Sequence, residues 1–306
     1  MSYFVKWKIP ILFIVGIIGI SFSAIFVKWT SAPTSMVAMY RLLIAAICML
    51  PFVYSRKHEW AMITLKQWIQ LYVSGLFLGL HFLLWMESLR YTSVASSTAI
   101  LTLEPVFVML ASVFIFHTRI SRAAQFSMLI AIIGAISMGW GDFRFSASAL
   151  WGDLLSLLGT FGVAIHIVLG KQLRHRISAV VYSFCVFVCA VLTIALYNLY
   201  TGYAFIGYSH QDWLMFTLLA LVSTLLGHHI FNWLLKEMNA TSVSMAVLGE
   251  PLGATILAYF LLHESISWMQ MGAGLLLVLG VALFIQQNER DVSPASSTDA
   301  KTSREK

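Results

Sequence analysis

Two glutamates, each followed directly by a proline, lie deep inside apolar stretches of this chain. Glu104-Pro105 and Glu250-Pro251 are 146 residues apart, and each falls about midway along a segment long enough to cross a bilayer. A carboxylate at that depth is costly unless it is paired or hydrated. Either the carboxyls bind a cationic solute or exchange protons, or they cap backbone that the prolines leave without a donor. We take both glutamates as candidate coupling groups, and both prolines as helix breaks or hinges.

Arg41 and Glu87 are two further charged residues within apolar segments. Arg41 lies a few residues inside the second segment, and Glu87 lies near the end of the third. An ion pair between them would lower the cost of both charges, so we predict this pair as a structural contact. The alternatives are a gate that opens when the pair breaks and an anion contact made by Arg41. Tyr40 precedes Arg41 and is predicted to face the outer mouth of a solute cavity.

Two stripes of polar and aromatic side chains occupy related positions in the chain. His81 and Trp85 are four residues apart, so they share one helix face, and His229 and Trp233 repeat that spacing. Asn232 adds an amide to the second stripe. Aromatic rings offer stacking or cation–π contacts, and the imidazoles and the amide offer hydrogen bonds. We predict that both stripes line one solute cavity. The alternative is a polar contact between helices, or an aromatic belt at the membrane surface.

Metal, cofactor and catalytic chemistry have no visible signal in the sequence. The three cysteines lie in apolar runs, which argues against a disulfide framework and, without other ligands beside them, against a metal site. His166 is interpreted as a packing histidine. HExxH, GxSxG and P-loop motifs are absent. We therefore expect no bound metal, no cofactor, no enzymatic activity and no ATP-driven pumping by this chain.

The elements that position these residues are predicted to be membrane helices. Of the 306 residues, 59% are hydrophobic and only 10% are charged, whereas soluble domains carry about 25% charged residues. A spanning helix needs about 20 apolar residues. By this criterion the sequence predicts ten spans, at about 9–29, 36–53, 70–89, 95–117, 124–140, 150–171, 179–199, 213–235, 241–262 and 268–286. The net charge of +6 is attributed to cytoplasmic loops rather than to nucleic-acid binding.

The chain is internally repeated. Residues 89–134 align with 235–280 without a gap. Lysine and arginine concentrate in alternate connections, which predicts that both termini are cytoplasmic. Five spans in each repeat is an odd number, so the second repeat is expected to enter the membrane inverted. We predict one five-helix repeat at 1–141, a second at 142–287 and a disordered cytoplasmic tail at 288–306.

Several short motifs resemble the EamA-type family of the drug/metabolite transporter superfamily, over about residues 9–286. They are Gly16-Ile17-Ile18-Gly19, Tyr40-Arg41-Leu42-Leu43, Ala95-Ser96-Ser97, Leu103-Glu104-Pro105, Trp151-Gly152-Asp153, Gly249-Glu250-Pro251 and His263-Glu264-Ser265-Ile266. Thr118 departs from the pattern, since such proteins often carry a glutamate there, as Glu264 does. The resemblance implies an all-α carrier of small organic metabolites, often directed outward, with a central cavity.

The combined expectation is a secondary-active transporter that works by alternating access. It would move amino acids, amines or drug-like solutes, and export is the expected direction. The expected location is the bacterial cytoplasmic (inner) membrane. The partners are a small-molecule solute and the lipid bilayer, with no nucleic acid and with a homodimer left open. The alternatives are an intramembrane enzyme, for which no nucleophile, base or metal set is visible, and a channel, for which filter repeats and rings of like residues are absent.

Overall fold

The computed structural model describes residues 3–92, 94–117, 120–139, 146–263 and 266–292. Its helices are α1 (Tyr3–Lys28), α2 (Thr34–Tyr54), α3 (Lys57–Trp60), α4 (Leu65–Ser88), α5 (Val94–Leu101), α6 (Glu104–Phe116), α7 (Arg122–Gly139), α8 (Ala147–Leu173), α9 (Ala179–Thr201), α10 (His210–Leu218), a π-helical segment (Leu219–His228), α11 (His229–Glu237), α12 (Ala240–Val247), α13 (Gly249–Leu262) and α14 (Trp268–Val292). The boundary predicted at residues 141 and 142 lies outside the described residues, as do Thr118, Glu264 and residues 293–306 of the predicted tail.

The prediction of an all-helical, multi-span architecture is confirmed. Within the described residues, nine helical runs are long and apolar enough to cross a membrane. The segment predicted as the fifth span is described as a shorter apolar helix at Arg122–Ser137. Large apolar side chains remain exposed on the outside of the bundle, as on Leu196, Phe260 and Leu275. Surfaces of this kind are stable against lipid and costly against water.

The predicted spans at 95–117 and 241–262 are each interrupted at their Glu-Pro sequence. The first divides into α5 and α6, with Pro105 in the first turn of α6. The second divides into α12 and α13, with Pro251 in the first turn of α13. Proline has no N–H and its ring collides with the carbonyl four residues earlier, so a straight helix cannot continue through it. Each span therefore has a helix break at its Glu-Pro sequence, and each glutamate lies at the start of a half-helix.

The span predicted at 213–235 is not a uniform α-helix. Residues Leu219–His228 form a π-helical segment between α10 and α11. Thr224 Oγ1 donates a hydrogen bond of 3.0 Å to the carbonyl of Leu219, five residues earlier. A π-helix has wider turns than an α-helix, so it rotates the residues that follow it. The directions in which the α11 side chains project therefore differ from those of a continuous α-helix.

Glycines allow close approach between helices at the periphery of the bundle. A Cβ built on Gly134 of α7 would lie 2.5 Å from the backbone nitrogen of Leu277 in α14, and one built on Gly280 of α14 would lie 2.7 Å from the Cα of Ala131 in α7. These two contacts are related by the same 146-residue offset as the Glu-Pro sequences. Backbone packs directly on backbone at both points, as is common where small residues meet within a membrane.

We expect Gly280→Ala to destabilise the bundle, because the added methyl group meets the backbone of Ala131 and not a movable side chain. Overpacking of this kind costs about 1–3 kcal/mol. Thermal unfolding in detergent, followed by circular dichroism, measures the effect. Gly272→Ala in the same helix is the matched control, since a Cβ there has nothing within 4 Å. Equal melting temperatures for the two variants would contradict the described contact.

Candidate functional site

The glutamates of the two helix breaks border a small cavity in the interior of the bundle. Its volume is about 60 Å³. The lining comes from both broken spans and from α1, α4, α8 and the α10–α11 span, and it consists of Ile20, Ser23, His81, Phe82, Trp85, Leu101, Glu104, Val163, His166, Ile167, His228, Phe231, Asn232, Leu235, Val243, Val247 and Glu250. Two carboxyls and three imidazoles therefore converge on this one space.

The structure brings together the two glutamates that the sequence singled out. Glu104 and Glu250 border the central cavity, and both also line a smaller cavity of about 10 Å³ that lies between the prolines. Glu104 is only 4% exposed, and its Oε1 has no hydrogen-bond partner within the described residues. Each carboxyl lies at the N-terminal, positive end of a half-helix, which stabilises negative charge. Both carboxyls therefore border the same interior space.

The predicted ion pair between Arg41 and Glu87 is not formed. Arg41 is completely buried, where it donates from Nε to Thr224 Oγ1 (3.1 Å) and from Nη1 to Ser23 Oγ (3.0 Å). Its guanidinium carbon lies 4.5 Å from the centre of the Phe82 ring, in a cation–π contact.

Glu87 instead pairs with Arg90 at 3.0 Å and accepts a hydrogen bond from Thr34. The prediction was wrong because the Arg41 side chain runs toward the central cavity, whose lining includes Ser23 and Phe82. Arg41 interacts electrostatically with Glu250 there. The buried cation thus lies close enough to the cavity wall to interact with one of its two carboxyls.

The first predicted stripe lies on the cavity wall. The rings of His81 and Trp85 are parallel within 1°, with centroids 6.2 Å apart. His81 Nδ1 is 3.0 Å from the carbonyl oxygen of Gly159, which holds the ring toward α8. Trp85 is 3% exposed, and its Nε1 has no hydrogen-bond partner among the described residues. The stripe therefore offers a flat aromatic surface and one unused donor.

The second predicted stripe is displaced by one residue. His228 and Asn232 line the cavity, whereas His229 lies against Ser183, with 2.9 Å between Nδ1 and Oγ. Trp233 packs on the apolar cluster around Phe231. The π-helical segment that precedes α11 accounts for the displacement, since its wider turns rotate the face presented to the cavity. Asn232 was placed correctly, and its Nδ2 donates to Ser183 Oγ at 3.1 Å.

His166, interpreted from the sequence as a packing residue, is part of the cavity wall. Its Nδ1 lies 2.9 Å from Ser74 Oγ, which in turn lies 2.9 Å from the Tyr182 hydroxyl. All three residues are buried. The sequence carries no signal for this network, because its members come from α4, α8 and α9 and meet only through tertiary packing.

Tyr40 lies away from the described cavity lining, at the end of the bundle opposite the basic loops. Its ring stacks on Phe216, with centroids 5.1 Å apart, and lies 4.8 Å from Trp213. Its hydroxyl donates to the carbonyl of Phe205. Tyr40 thus belongs to an aromatic cluster that packs α2 against α10. It is not among the residues that line the central cavity.

Known proteins that are similar in sequence or in structure indicate the class of protein to which this chain belongs. A protein of Archaeoglobus fulgidus described as an uncharacterized transporter is 22% identical over 249 residues, covering 80% of this chain and 86% of the relative. Bacillus subtilis YetK, described in the same way, is 24% identical over 267 residues, covering 84% and 80%. One crystal structure superposes with a TM-score of 0.76 at 16% identity, covering 94% of this chain and 99% of that one, a likeness that shows the fold alone.

The apolar helices and these likenesses define a multi-pass membrane transporter. The model of the EamA-like transporter family matches residues 7–140 and again residues 150–286. The chain belongs to the EamA-like transporter family, as the sequence motifs predicted.

We expect Arg41→Lys to destabilise the protein, because an ammonium group cannot bond Thr224 and Ser23 together while lying flat on Phe82. Lost hydrogen bonds to a charged group cost about 1.5–3 kcal/mol each. The melting temperature in detergent reports the loss. Arg90→Lys is the control, since that side chain is 56% exposed. If both variants have the same melting temperature, the described contacts of Arg41 contribute no stability that is specific to the guanidinium.

Proposed function

We propose that this chain is a secondary carrier that moves a small organic solute across the cytoplasmic membrane by alternating access, with export as the working direction. The central cavity is the observation that carries the proposal. It lies where both broken helices meet, and it combines two carboxyls, aromatic rings and hydrogen-bonding groups. In carriers built from repeats, discontinuous helices near the bilayer midplane typically form the solute site.

The size of the cavity supports an occluded state. At about 60 Å³, it has room for a few water molecules, since one water needs about 10–15 Å³. Pockets for drug-sized ligands measure about 300–1,000 Å³. An organic solute therefore requires the helices around the cavity to separate. A cavity that must open to be filled favours a carrier over a channel with a continuous pore.

Different contacts close the bundle on the two sides of the cavity. At the basic end, Lys171 Nζ donates to the carbonyls of Leu235 (2.9 Å) and Met238 (2.6 Å), and Arg174 Nε donates to that of Asn232 (2.8 Å). These bonds tie α8 to α11.

At the opposite end, Asp212 accepts 2.8 Å hydrogen bonds from Thr30 Oγ1 and from the backbone N–H of Ser31, next to the aromatic cluster of Tyr40. These bonds tie the α1–α2 connection to α10. Because the two sets share no residue, one can break while the other persists. In the proposed cycle, the solute site opens alternately to each face in this way.

The proposed movement uses two inverted repeats with both termini in the cytoplasm. The paired contacts Gly134–Leu277 and Gly280–Ala131 support it, since each is the 146-residue counterpart of the other. A twofold axis in the membrane plane would relate such contacts and would pass near the two Glu-Pro breaks. On this view the basic end of the bundle, which carries Lys171 and Arg176, faces the cytoplasm.

The solute class that fits the wall is an amino acid, an amine or a drug-like compound with a flat ring. The parallel rings of His81 and Trp85 offer a stacking surface. Trp85 Nε1 and Glu104 Oε1 offer a donor and an acceptor without partners in the described residues. Leaving such groups unsatisfied when buried is costly, so a bound solute that pairs with both gains affinity. His81, Trp85 and Asn232 are the proposed solute-binding residues.

The charge balance of the site supports proton coupling through Glu104 and Glu250. Among the described residues, Arg41 is the cation that interacts electrostatically with one of these carboxyls, that of Glu250. A single guanidinium balances one carboxylate, and two neighbouring carboxylates in a low-dielectric site repel each other. One carboxyl therefore holds a proton in the occluded state. Binding of a cationic solute, or opening of the solute site to the other side of the membrane, would release that proton.

Untargeted mass spectrometry of medium and cytosol would identify the solute. We expect one compound to rise outside and fall inside cells that overexpress the wild-type chain, but not in cells with Glu104→Gln or Glu250→Gln at equal expression. Glu237→Gln is the matched control, because Glu237 is exposed at the basic end. A compound that falls in the medium and rises in the cytosol would indicate import instead of export. If no compound distinguishes wild type from the cavity variants, the proposed function is refuted.

Proteoliposomes loaded with the compound so identified test the coupling. We expect Glu104→Gln or Glu250→Gln to lose flux driven by a pH gradient while retaining solute exchange, since an amide cannot carry the proton but leaves the cavity shape intact. Glu237→Gln should retain both activities. An unchanged pH dependence of flux in both cavity variants would reject the coupling role.

A further inference from the structure

A second and larger cavity lies at the basic end of the bundle, one helix turn from the central site. Its volume is about 480 Å³. The wall is formed by α6, α8, α12 and α14 and the turns next to them, and it consists of Ser112, Phe116, Ile120, Lys171, Gln172, His175, Arg176, Asn239, Ala240, Thr241 and Phe284. Ala240 lies one turn from Val243 of the central cavity, and Lys171 one turn from Ile167. This space, called here the basal cavity, is several times larger than the central one.

The basal cavity carries positive charge on one side. Lys171, His175 and Arg176 contribute basic groups, and none of the described lining residues is acidic. His175 and Arg176 are exposed at the rim. Burial is the main cause that lowers the pKa of His175, and the positive charges of Lys171, Lys236 and Arg174 add to it, so a positive local field makes the smaller contribution. Glu237 lies nearby and offsets part of this field, through its attraction to Lys171 and Arg174.

The N-terminus of α12 adds to this field. Asn239, Ala240 and Thr241 begin that eight-residue helix and lie in the wall. Helix N-termini attract anions because the backbone dipoles are aligned. A second, independent observation concerns Ser112, which is 3% exposed in the same wall and whose Oγ has no hydrogen-bond partner among the described residues. Buried hydroxyls are normally paired, so this group is available to a ligand.

The other side of the basal cavity is apolar. Phe116, Ile120 and Phe284 form this side, and Phe284 is only 2% exposed. A ligand that fills the space therefore has an anionic group at one end and an apolar body at the other. The volume of about 480 Å³ falls in the range of organic ligand sites, about 300–1,000 Å³.

We propose that the basal cavity binds an amphipathic anion, with its phosphate or carboxylate at Lys171, His175 and Arg176 and its apolar body against Phe116 and Phe284. Two sources supply this chemistry: an anionic phospholipid, whose chains would enter from the bilayer, and a free organic anion from the aqueous phase. Basic pockets between membrane helices at the cytoplasmic side are suited to anionic headgroups. The basal cavity shares no lining residue with the central cavity, although Lys171 also makes the contacts proposed to close the basic end of the bundle.

Calorimetric titration of the full chain, purified in an uncharged detergent, tests the proposal. The probes are dioctanoylphosphatidylglycerol, for the lipid source, and phenyl phosphate, for a free anion, with dioctanoylphosphatidylcholine as the neutral reference. We expect at least one anionic probe to bind saturably and more tightly than the neutral lipid. Binding of phosphatidylglycerol alone assigns the site to lipid, and binding of phenyl phosphate assigns it to a free anion.

Charge variants locate the binding. We expect Arg176→Gln to weaken binding of the anionic probe by about fivefold, which is the effect of one basic residue near an anionic headgroup. We expect His175→Gln to weaken binding less. Both residues are exposed, so folding should be unaffected. Lys66→Gln is the matched control, since it removes an exposed charge at the same end but away from the cavity. Lys171 is unsuitable as the first variant because it also binds the carboxyl end of α11.

A second measurement on the wild-type chain is the salt dependence of binding. Raising the salt concentration should lower the affinity for the anionic probe but not for the neutral lipid. The proposal is overturned if neither anionic probe binds, or if Arg176→Gln and Lys66→Gln change the affinity equally. Neither result bears on solute flux, so this proposal and the transport function can fail separately.

Discussion

The requirement that backbone polar groups be satisfied within a membrane shapes this protein. Lipid offers no hydrogen bonds, so a spanning segment is helical throughout, or its breaks face protein or a water-filled space. Pro105 and Pro251 break two spans, and the freed backbone cannot lie against lipid. Both breaks therefore lie on the inside of the bundle, where the two prolines line the smaller cavity and the two glutamates also border the central one. The position of the cavity follows from the position of the two prolines.

Polar side chains concentrate around the same breaks. Arg41 is completely buried, and each of the hydrogen bonds described for it reaches a hydroxyl on another helix. His166 and Asn232 are likewise held by serines of α4 and α9. Such contacts orient the cavity wall from behind, so that each group presents a defined face to the cavity. The outside of the bundle is correspondingly apolar, as on Leu196, Phe260 and Leu275.

The sequence predicted the features that depend on local pattern. Apolar segment lengths gave the helices, and the Glu-Pro repeat located the breaks and the two carboxyls. The spacing of His81 and Trp85 placed both on one face. The partner of Arg41 was missed because a long side chain selects its contacts through tertiary packing. The π-helical segment was missed because the sequence of Leu219–His228 is that of an ordinary apolar helix. As a result, His228 and Asn232 line the cavity instead of the predicted His229 and Trp233.

The contact between α7 and α14 limits how the two halves of the bundle can move. At Gly134 and Gly280 the helix backbones touch with no layer of side chains between them. Side chains can change rotamer and allow helices to slide, whereas direct backbone contact leaves no such freedom. In the proposed transport cycle, relative motion of the halves would therefore be a rotation about this contact. A small rotation there would separate the helices most at the two faces of the membrane.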